Sequence, residues 1–263
     1  DRTDTVRTVA APLGSCDGGG RASPVLLCPF TARRRGDPGP SVQYRLRMAF
    51  RGWPVEALEF YEGLEVDNTK AYWTEHKAVY QDQVRAPMEA LLADLADEFG
   101  EGKIFRPHRD VRFSADKSPY KTAMGAQLAG GGYVQLSSEG LAAGLGTYVM
   151  AKDQLDRYRR AVADDRTGTE LEAVIAQVRG AGIEVTGREV LKTAPRGYPK
   201  DHPRIEWLRH KSLIAWREWP AGAWLGTPKA KDRVVEFLHQ ARPLQHWLDA
   251  HVGDSELESA WGR

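Results

Sequence analysis

The chain has 263 residues, of which 41% are hydrophobic and 28% are charged, and its formal net charge is +1. This composition is typical of globular proteins, and no stretch approaches the roughly 20 apolar residues that cross a bilayer. Residues 1–47 contain eight Arg and four Asp, a net of +4, so residues 48–263 contain 29 basic and 32 acidic residues, a net of −3. A mildly acidic body disfavours a nucleic-acid partner, because that binding rests on many phosphate contacts.

The first 47 residues show neither helical nor strand periodicity, and they have too few apolar residues to form a core. Three interpretations are open. Met48 is the true start and the upstream sequence is translated in error, or the segment is a disordered tail, or it is an Arg-rich targeting peptide, which its four Asp disfavour. Cys16 and Cys28 both lie in this segment. The body therefore has no disulfide, which fits a reducing compartment, and we expect a cytoplasmic protein.

Prolines and capping residues predict the first helices. Pro54 predicts a helix over 54–61, because its missing N–H costs nothing in the first turn. Asp67 or Asn68 is predicted to cap a longer helix. Pro87 should interrupt this helix and produce a kink or a break into two helices.

A region of short strands follows. Strand patterns are predicted at four places, residues 104–105, 111–113, 133–136 and 141–150. The last two are predicted to form a hairpin. Gly144 and Gly146 share one face of the last strand, and their bare backbone lets another group approach closely. A packing contact explains such glycines more often than a ligand does.

The second half of the chain mixes helices and strands. Thr169 and Glu172 match a capping box at the start of a helix. The other predicted elements are a helix around 155–162, a helix around 171–178, strands at 183–185 and 212–216, a helical turn at 205–209, and helices that start at Pro228 and Pro243. Without regular βαβ alternation, this order predicts an α+β domain over 48–252 with a mixed or antiparallel sheet, followed by a frayed tail at 253–263.

The densest cluster of charge lies at residues 105–121. It contains Arg106, Arg109, Arg112, Lys117 and Lys121 together with Asp110 and Asp116. If 109–113 is a strand, Arg109 points inward beside Val111 and Phe113, and a buried Arg needs an anionic partner. Two interpretations are open. Either Arg112 pairs with Asp110 or Asp116 and fixes the loop, or the segment binds a phosphate or carboxylate through Arg109, Arg112, Lys117, Tyr120 and Lys121.

A second polar group follows the Pro- and Gly-rich loop at 192–203. It consists of Arg196, Tyr198, His202 and Lys211. Loops of this kind often carry binding residues, although a proline-shaped connection explains the same sequence. Two cationic loops in one small domain suggest a shared anion pocket.

Several established motifs are absent from the sequence. There is no phosphate-binding P-loop, no complete dinucleotide fingerprint, no nucleophile elbow, and neither H-E-x-x-H nor C-x-x-C, so no metal site and no particular cofactor is predicted. The segment 207–224 is rich in tryptophan, with Trp207, Trp216, Trp219 and Trp224. Core or interface packing explains such residues more often than base stacking does.

Four separate motifs resemble a known family. The sequence RDVRFSADKSPYK at 109–121 closely resembles the signature of the bacterial and fungal family called domain of unknown function 2461, and NTKAYW at 68–73, APRGY at 194–198 and HPRIEWLRHKS at 202–212 support it. The resemblance covers about 50–251. It implies that members begin near Met48 and that both cationic loops are family features. It implies no reaction, because the family has no settled activity.

Two functional hypotheses follow. In the first, the domain binds a small anionic ligand through both cationic loops, and Asp110, Asp116 or His202 would be the catalytic group if it is an enzyme. In the second, the segment 207–224 is a protein-interaction surface and the charged motif is structural. We expect no membrane association.

Overall fold

The structure is a computed structural model that describes residues 49–257. The expectations for residues 1–47, and those for the tail after residue 257, lie outside the described part of the chain. The first half is helical, with α1 (Val55–Val66), α2 (Lys70–Glu75), α3 (Lys77–Val79), a π-helical turn (Tyr80–Arg85) and α4 (Ala86–Phe99). The helix predicted over 54–61 is present as α1, with Pro54 at its N-cap position rather than in its first turn. The cap of α2 is Thr69, whose hydroxyl accepts the N–H of Tyr72 at 3.2 Å, so the prediction of Asp67 or Asn68 is wrong.

The predicted interruption at Pro87 takes the form of the π-helical turn. Pro87 has no N–H to donate to the preceding turn, and the helix widens so that Ala86 donates its N–H to Gln81. The indole Nε1 of Trp53 donates to the carbonyl of Val84 within this turn at 3.2 Å. The buried ring of Trp53 thereby holds the irregular turn in place.

The strands form one six-stranded antiparallel sheet with the order β1-β2-β3-β4-β6-β5. Their bounds are β1 (Gly102–Ile104), β2 (Ala123–Leu128), β3 (Gly132–Ser137), β4 (Gly140–Thr147), β5 (Glu184–Thr186) and β6 (Leu213–Pro220). The α+β class and the β3–β4 hairpin are confirmed. The predicted strand at 111–113 is wrong, because these residues form bends, and β2 was not predicted.

The remaining elements are α5 (Lys152–Ala163), α6 (Asp165–Gly180), α7 (Ile205–Leu208), a 3-10 turn (Ala223–Gly226) and α8 (Lys229–His251). The capping box at Thr169 is wrong: α6 begins earlier, where the Asp164 carboxylate accepts the N–H groups of Arg166 and Thr167. The helix start at Pro243 is also wrong, because Pro243 lies inside α8. The buried side of α8 continues past the proline, so packing overrides its helix-breaking tendency.

The helices cover one face of the sheet. Gly102 of β1 lies against Leu92 of α4, and Gly132 of β3 lies against Leu238 of α8. The other face carries the exposed side chains of Lys103, Gln127, Glu184 and Glu218. None of the helices within residues 49–257 is long and apolar enough to span a membrane.

Candidate functional site

The two cationic loops leave the sheet far from each other. The β1–β2 loop (residues 105–122) joins the end of the sheet where Ala123 pairs with Ser137, whereas the β5–β6 loop (residues 187–212) joins the end where Leu213 pairs with Thr147. Since β1 and β5 are the two edge strands, five inter-strand steps of about 4.8 Å place the edges roughly 24 Å apart. The structure does not bring the two loops into one pocket.

In the β1–β2 loop, each arginine of the signature motif is bonded to an aspartate of the same loop. Arg112 donates from Nε and Nη2 to the Asp110 carboxylate at 2.9 and 2.6 Å. Arg109 pairs through Nη1 with Asp116. The Arg112–Asp110 pair is the one expected if these charges fix the shape of the loop. Asp116 pairs with Arg109.

The bonds to these aspartates favour their charged forms. The side-chain hydrogen bond from Arg112 lowers the pKa of Asp110 to about 2. The hydroxyl of Ser118, followed by Arg109 and the Ser118 N–H, holds the pKa of Asp116 well below its usual range. Neither carboxylate is poised as a general base at neutral pH, which requires a pKa near the working pH.

The base of this loop is held from outside by one asparagine and one tryptophan. The Asn68 side chain accepts the N–H of Tyr120 and donates to its carbonyl, both at 3.0 Å. The buried Tyr120 ring stacks on Trp73 with 4.3 Å between ring centroids. Tyr120 is therefore an anchor of the loop, and Asn68, which the sequence analysis proposed as a helix cap, holds it.

The two lysines of the loop are also engaged. Lys117 donates to the carbonyl of Val111 at 3.0 Å, and the Lys121 ammonium lies 5.6 Å from the centroid of the Phe105 ring. Phe113, which was predicted to point inward, is 73% exposed at the tip of the loop.

The second predicted group does not converge on one point either. Lys211 pairs with Glu189 at 2.7 Å, and Arg196 is exposed while Tyr198 packs partly against the core. The ring Nδ1 of His202 accepts the backbone N–H of Arg204 at 3.0 Å, so it helps to begin α7.

The residue that fixes the β5–β6 loop is Arg204, which the sequence analysis missed. Its side chain is 6% exposed, and its Nε donates to the carbonyl of Val162 at 2.7 Å while Nη2 donates to the Asp165 carboxylate at 2.8 Å. A side chain at Gly168 would overlap this guanidinium. A glycine within the helical run of α6 was the only sequence signal for a group packed closely there.

Beside this loop, a cavity of about 360 Å³ opens at the edge of the sheet. It is lined by residues of α6, β5 and the β5–β6 loop, namely Arg179, Glu184, Val185, Thr186, Val190, Glu206, Trp207, Arg209 and His210. None of the residues predicted from sequence to bind a ligand is in this set. The family motif HPRIEWLRHKS contains Glu206, Trp207, Arg209 and His210 of this lining, but only its Lys211 and His202 were predicted to be functional.

The two arginines of the cavity differ from those of the β1–β2 loop. The guanidinium of Arg179 lies 5.0 Å from the Trp207 ring centroid and donates to the carbonyl of Val185 at 3.3 Å. Arg209 donates through Nε to the carbonyl of Leu191. Among residues 49–257, neither guanidinium forms an ion pair with a carboxylate. Each has five N–H donors, so donors remain for an anion.

His210 completes the cluster. It is 7% exposed, and its buried Nδ1 has no hydrogen-bond partner in the described part of the chain. Burial lowers the pKa of His210, Arg179 and Arg209 add to this, and Glu206 and the Ser212 backbone oppose it. His210 lines the same cavity as Arg179, Arg209, Glu184 and Glu206, and its lowered pKa keeps the ring neutral at neutral pH.

The cavity lining offers hydrogen-bond donors that suit an anion and acceptors that suit other polar groups. The arginines provide planar, permanently charged donors that suit phosphate and carboxylate. Glu184 and Glu206 provide acceptors for hydroxyl or amine groups. Within residues 49–257 there is no group of three His, Cys, Asp or Glu side chains that could hold a metal ion.

Comparison with known families now identifies the class of the chain. A sequence model of the family described as "Conserved hypothetical protein (DUF2461)" matches residues 56–247. The chain therefore belongs to this family, as the four motifs indicated. Curated proteins give no significant match, and solved structures give none either.

Proposed function

We propose that this protein binds a small ligand that carries a phosphate or carboxylate group, in the cavity lined by Arg179, Arg209 and His210. The observation that carries the proposal is that both cavity arginines lack carboxylate partners within residues 49–257 while they face about 360 Å³ of open space. A cleft with a few convergent polar groups and a histidine of shifted pKa is the usual form of a small-molecule site.

The sequence predicted one pocket shared by the two cationic loops. The proposed site instead lies beside the β5–β6 loop alone. Asp110, Asp116 and His202 hold other groups of the protein in place, so the proposal is binding, without a particular reaction. We also propose a cytoplasmic location and a bacterial origin. The lack of cysteine in residues 48–263 supports a location in a reducing compartment.

The alternative of a protein-interaction surface at 207–224 has less support. Trp207 and Trp219 are buried and belong to the core. The alternative therefore depends on the half-buried Trp216 and Trp224.

The first test is a thermal-shift screen of the full chain against phosphate, nucleotides, sugar phosphates and dicarboxylates. A ligand at 100 times its Kd stabilises by about 2.7 kcal/mol, which corresponds to roughly 5–10 °C for a domain of this size. The shift should disappear in Arg209→Gln and persist in the control Arg112→Gln. If no ligand shifts the wild type, or if only Arg112→Gln loses the shift, the proposal is wrong.

A further inference from the structure

The face of the sheet opposite the helices carries a row of side chains that crosses all six strands. Cross-strand partners lie on the same face, and the register joins Lys103, Gln127, Tyr133, Gly144, Trp216 and Glu184 in one row. The neighbouring row contains Gly125, Gln135, Ala142 and Glu218. We name these two rows, together with Phe105 beside Gly125, the open face.

Two aromatic side chains of the open face lie against glycines. A Cβ atom at Gly144 would come within 2.9 Å of the Trp216 ring, and one at Gly125 would overlap the Tyr133 ring. The close approach that Gly144 permits is therefore made by an aromatic side chain. Tyr133 and Trp216 are half-buried, and each is restrained by its glycine contact and by one side-chain hydrogen bond, which lowers the entropic cost of binding a ligand.

Three rings form a continuous strip. The centroids of Tyr133 and Trp216 are 6.0 Å apart with 27° between the ring planes, and those of Phe105 and Tyr133 are 6.3 Å apart with 32° between the planes. Phe105 is 37% exposed. The three rings are therefore neighbours along the open face, with similar orientations.

The polar side chains beside the strip are mostly amides and carboxylates. Gln135 accepts the hydroxyl of Tyr133 at 3.0 Å, and Glu218 accepts the indole N–H of Trp216 at 2.9 Å. Burial raises the pKa of Tyr133 to about 12, so its hydroxyl stays protonated at neutral pH. The amide groups of Gln127 and Gln135 both donate and accept hydrogen bonds.

From this arrangement we infer that the open face binds a neutral oligosaccharide, with sugar rings stacked on Phe105, Tyr133 and Trp216. A sugar ring has a flat side of C–H groups, which the negative face of an aromatic ring attracts, and a rim of hydroxyls that match amides and carboxylates. The inference does not depend on the anion proposal, because only Glu184 belongs to both sites.

Charge decides between a sugar and a nucleic acid. Single-stranded nucleic acids also stack on aromatic side chains, but they require a positively charged groove along the backbone. Here Lys103, and Lys121 above Phe105, are balanced by Glu184 and Glu218. A surface without net charge fits an uncharged ligand.

The test is native electrophoresis of the full chain in gels that contain hydroxyethyl cellulose, glycol chitin, laminarin or soluble starch. At least one polysaccharide should retard the wild type, and Trp216→Ala should weaken this retardation at least tenfold. The matched control is Phe113→Ala, which removes an exposed aromatic ring that is outside the open face. Poly(U) should cause no shift.

A measurement on the wild type covers the case in which Trp216→Ala does not fold. The polysaccharide that retards the protein should protect Trp216 from oxidation by N-bromosuccinimide at least fivefold, as read by peptide mass spectrometry. Retardation by none of the four polysaccharides, retardation without protection of Trp216, or binding to poly(U) in their place would each overturn the inference.

Discussion

The β1–β2 loop and the cavity beside β5 contain the same types of side chain in opposite situations. In the loop, Arg109 and Arg112 are bonded to Asp116 and Asp110 only a few residues away. In the cavity, Arg179 and Arg209 donate to main-chain carbonyls and have no carboxylate partner within residues 49–257. A guanidinium that already has a carboxylate fixes the shape of a loop, whereas one held by carbonyls keeps its charge for a ligand.

The most damaging change to the cavity side should be Arg204→Met. It removes buried charged hydrogen bonds to the α5–α6 junction, and we expect a loss of about 3 kcal/mol in the free energy of unfolding. Urea denaturation measures it. The control Arg196→Met removes an exposed arginine of the same loop and should change stability by less than about 0.5 kcal/mol. Equal losses for both variants would show that Arg204 does not anchor the loop.

The next largest effect on stability is expected from Asn68→Asp, which acts on the β1–β2 loop. It keeps an acceptor for the N–H of Tyr120 but replaces the donor to its carbonyl by a negative charge. We expect a loss of about 2 kcal/mol in the free energy of unfolding. The control is Asp67→Asn, an exposed change of the opposite sign at the neighbouring position. An unchanged denaturation midpoint in Asn68→Asp would mean that the two hydrogen bonds between the Asn68 side chain and the Tyr120 backbone are not formed.

A smaller effect is expected on the pH dependence of the free energy of unfolding, through His210 in the cavity. Because the folded state lowers the pKa of His210, the unfolded chain binds a proton there more readily near pH 6.5. The contribution of His210 therefore decreases stability as pH falls from 7.5 through 6.5. The slope of unfolding free energy against pH should be shallower in His210→Gln, and His246→Gln, at an exposed position, is the control. Identical slopes of unfolding free energy against pH in wild type and His210→Gln would show that burial does not lower the pKa of His210.

The smallest effect is expected from Asp116→Asn. Its carboxylate orders the loop by accepting from Ser118 and Arg109, and its lowered pKa means that this order persists until the pH falls well below 3.8. Amide exchange at Ser118 should quicken in the variant while the global denaturation midpoint is nearly unchanged. A large global loss would mean that the loop is part of the cooperative core.

Sequence reasoning recovered the features that depend on local patterns. The β3–β4 hairpin was predicted because its strands are marked by Tyr133 to Leu136 and by the turn before Leu141. The strand β2 was missed because it contains Gly125 and no β-branched residue, so only its two neighbouring strands define it. Pro243 stayed inside α8 because of packing that the sequence alone does not reveal.

Most residues of the candidate site could not be predicted from the sequence. The pairing of Arg112 with Asp110 was one of the alternatives that the sequence offered, since the partner is two residues away. Arg204 meets Val162 across 42 positions, and the cavity joins the end of α6 to residues about 30 positions further on. A contact between distant segments leaves no spacing rule in the sequence, so nothing in the sequence favoured Arg209 over Lys211.

The most direct test of the comparison is isothermal titration of the full chain with inorganic phosphate. Wild type is compared with the double variants Arg179→Gln/Arg209→Gln and Arg109→Gln/Arg112→Gln. The cavity account predicts that the first double variant loses phosphate binding at least tenfold while the second retains it within twofold. Loss of binding in the second variant with the first unaffected would contradict the account and move the anion site to the β1–β2 loop.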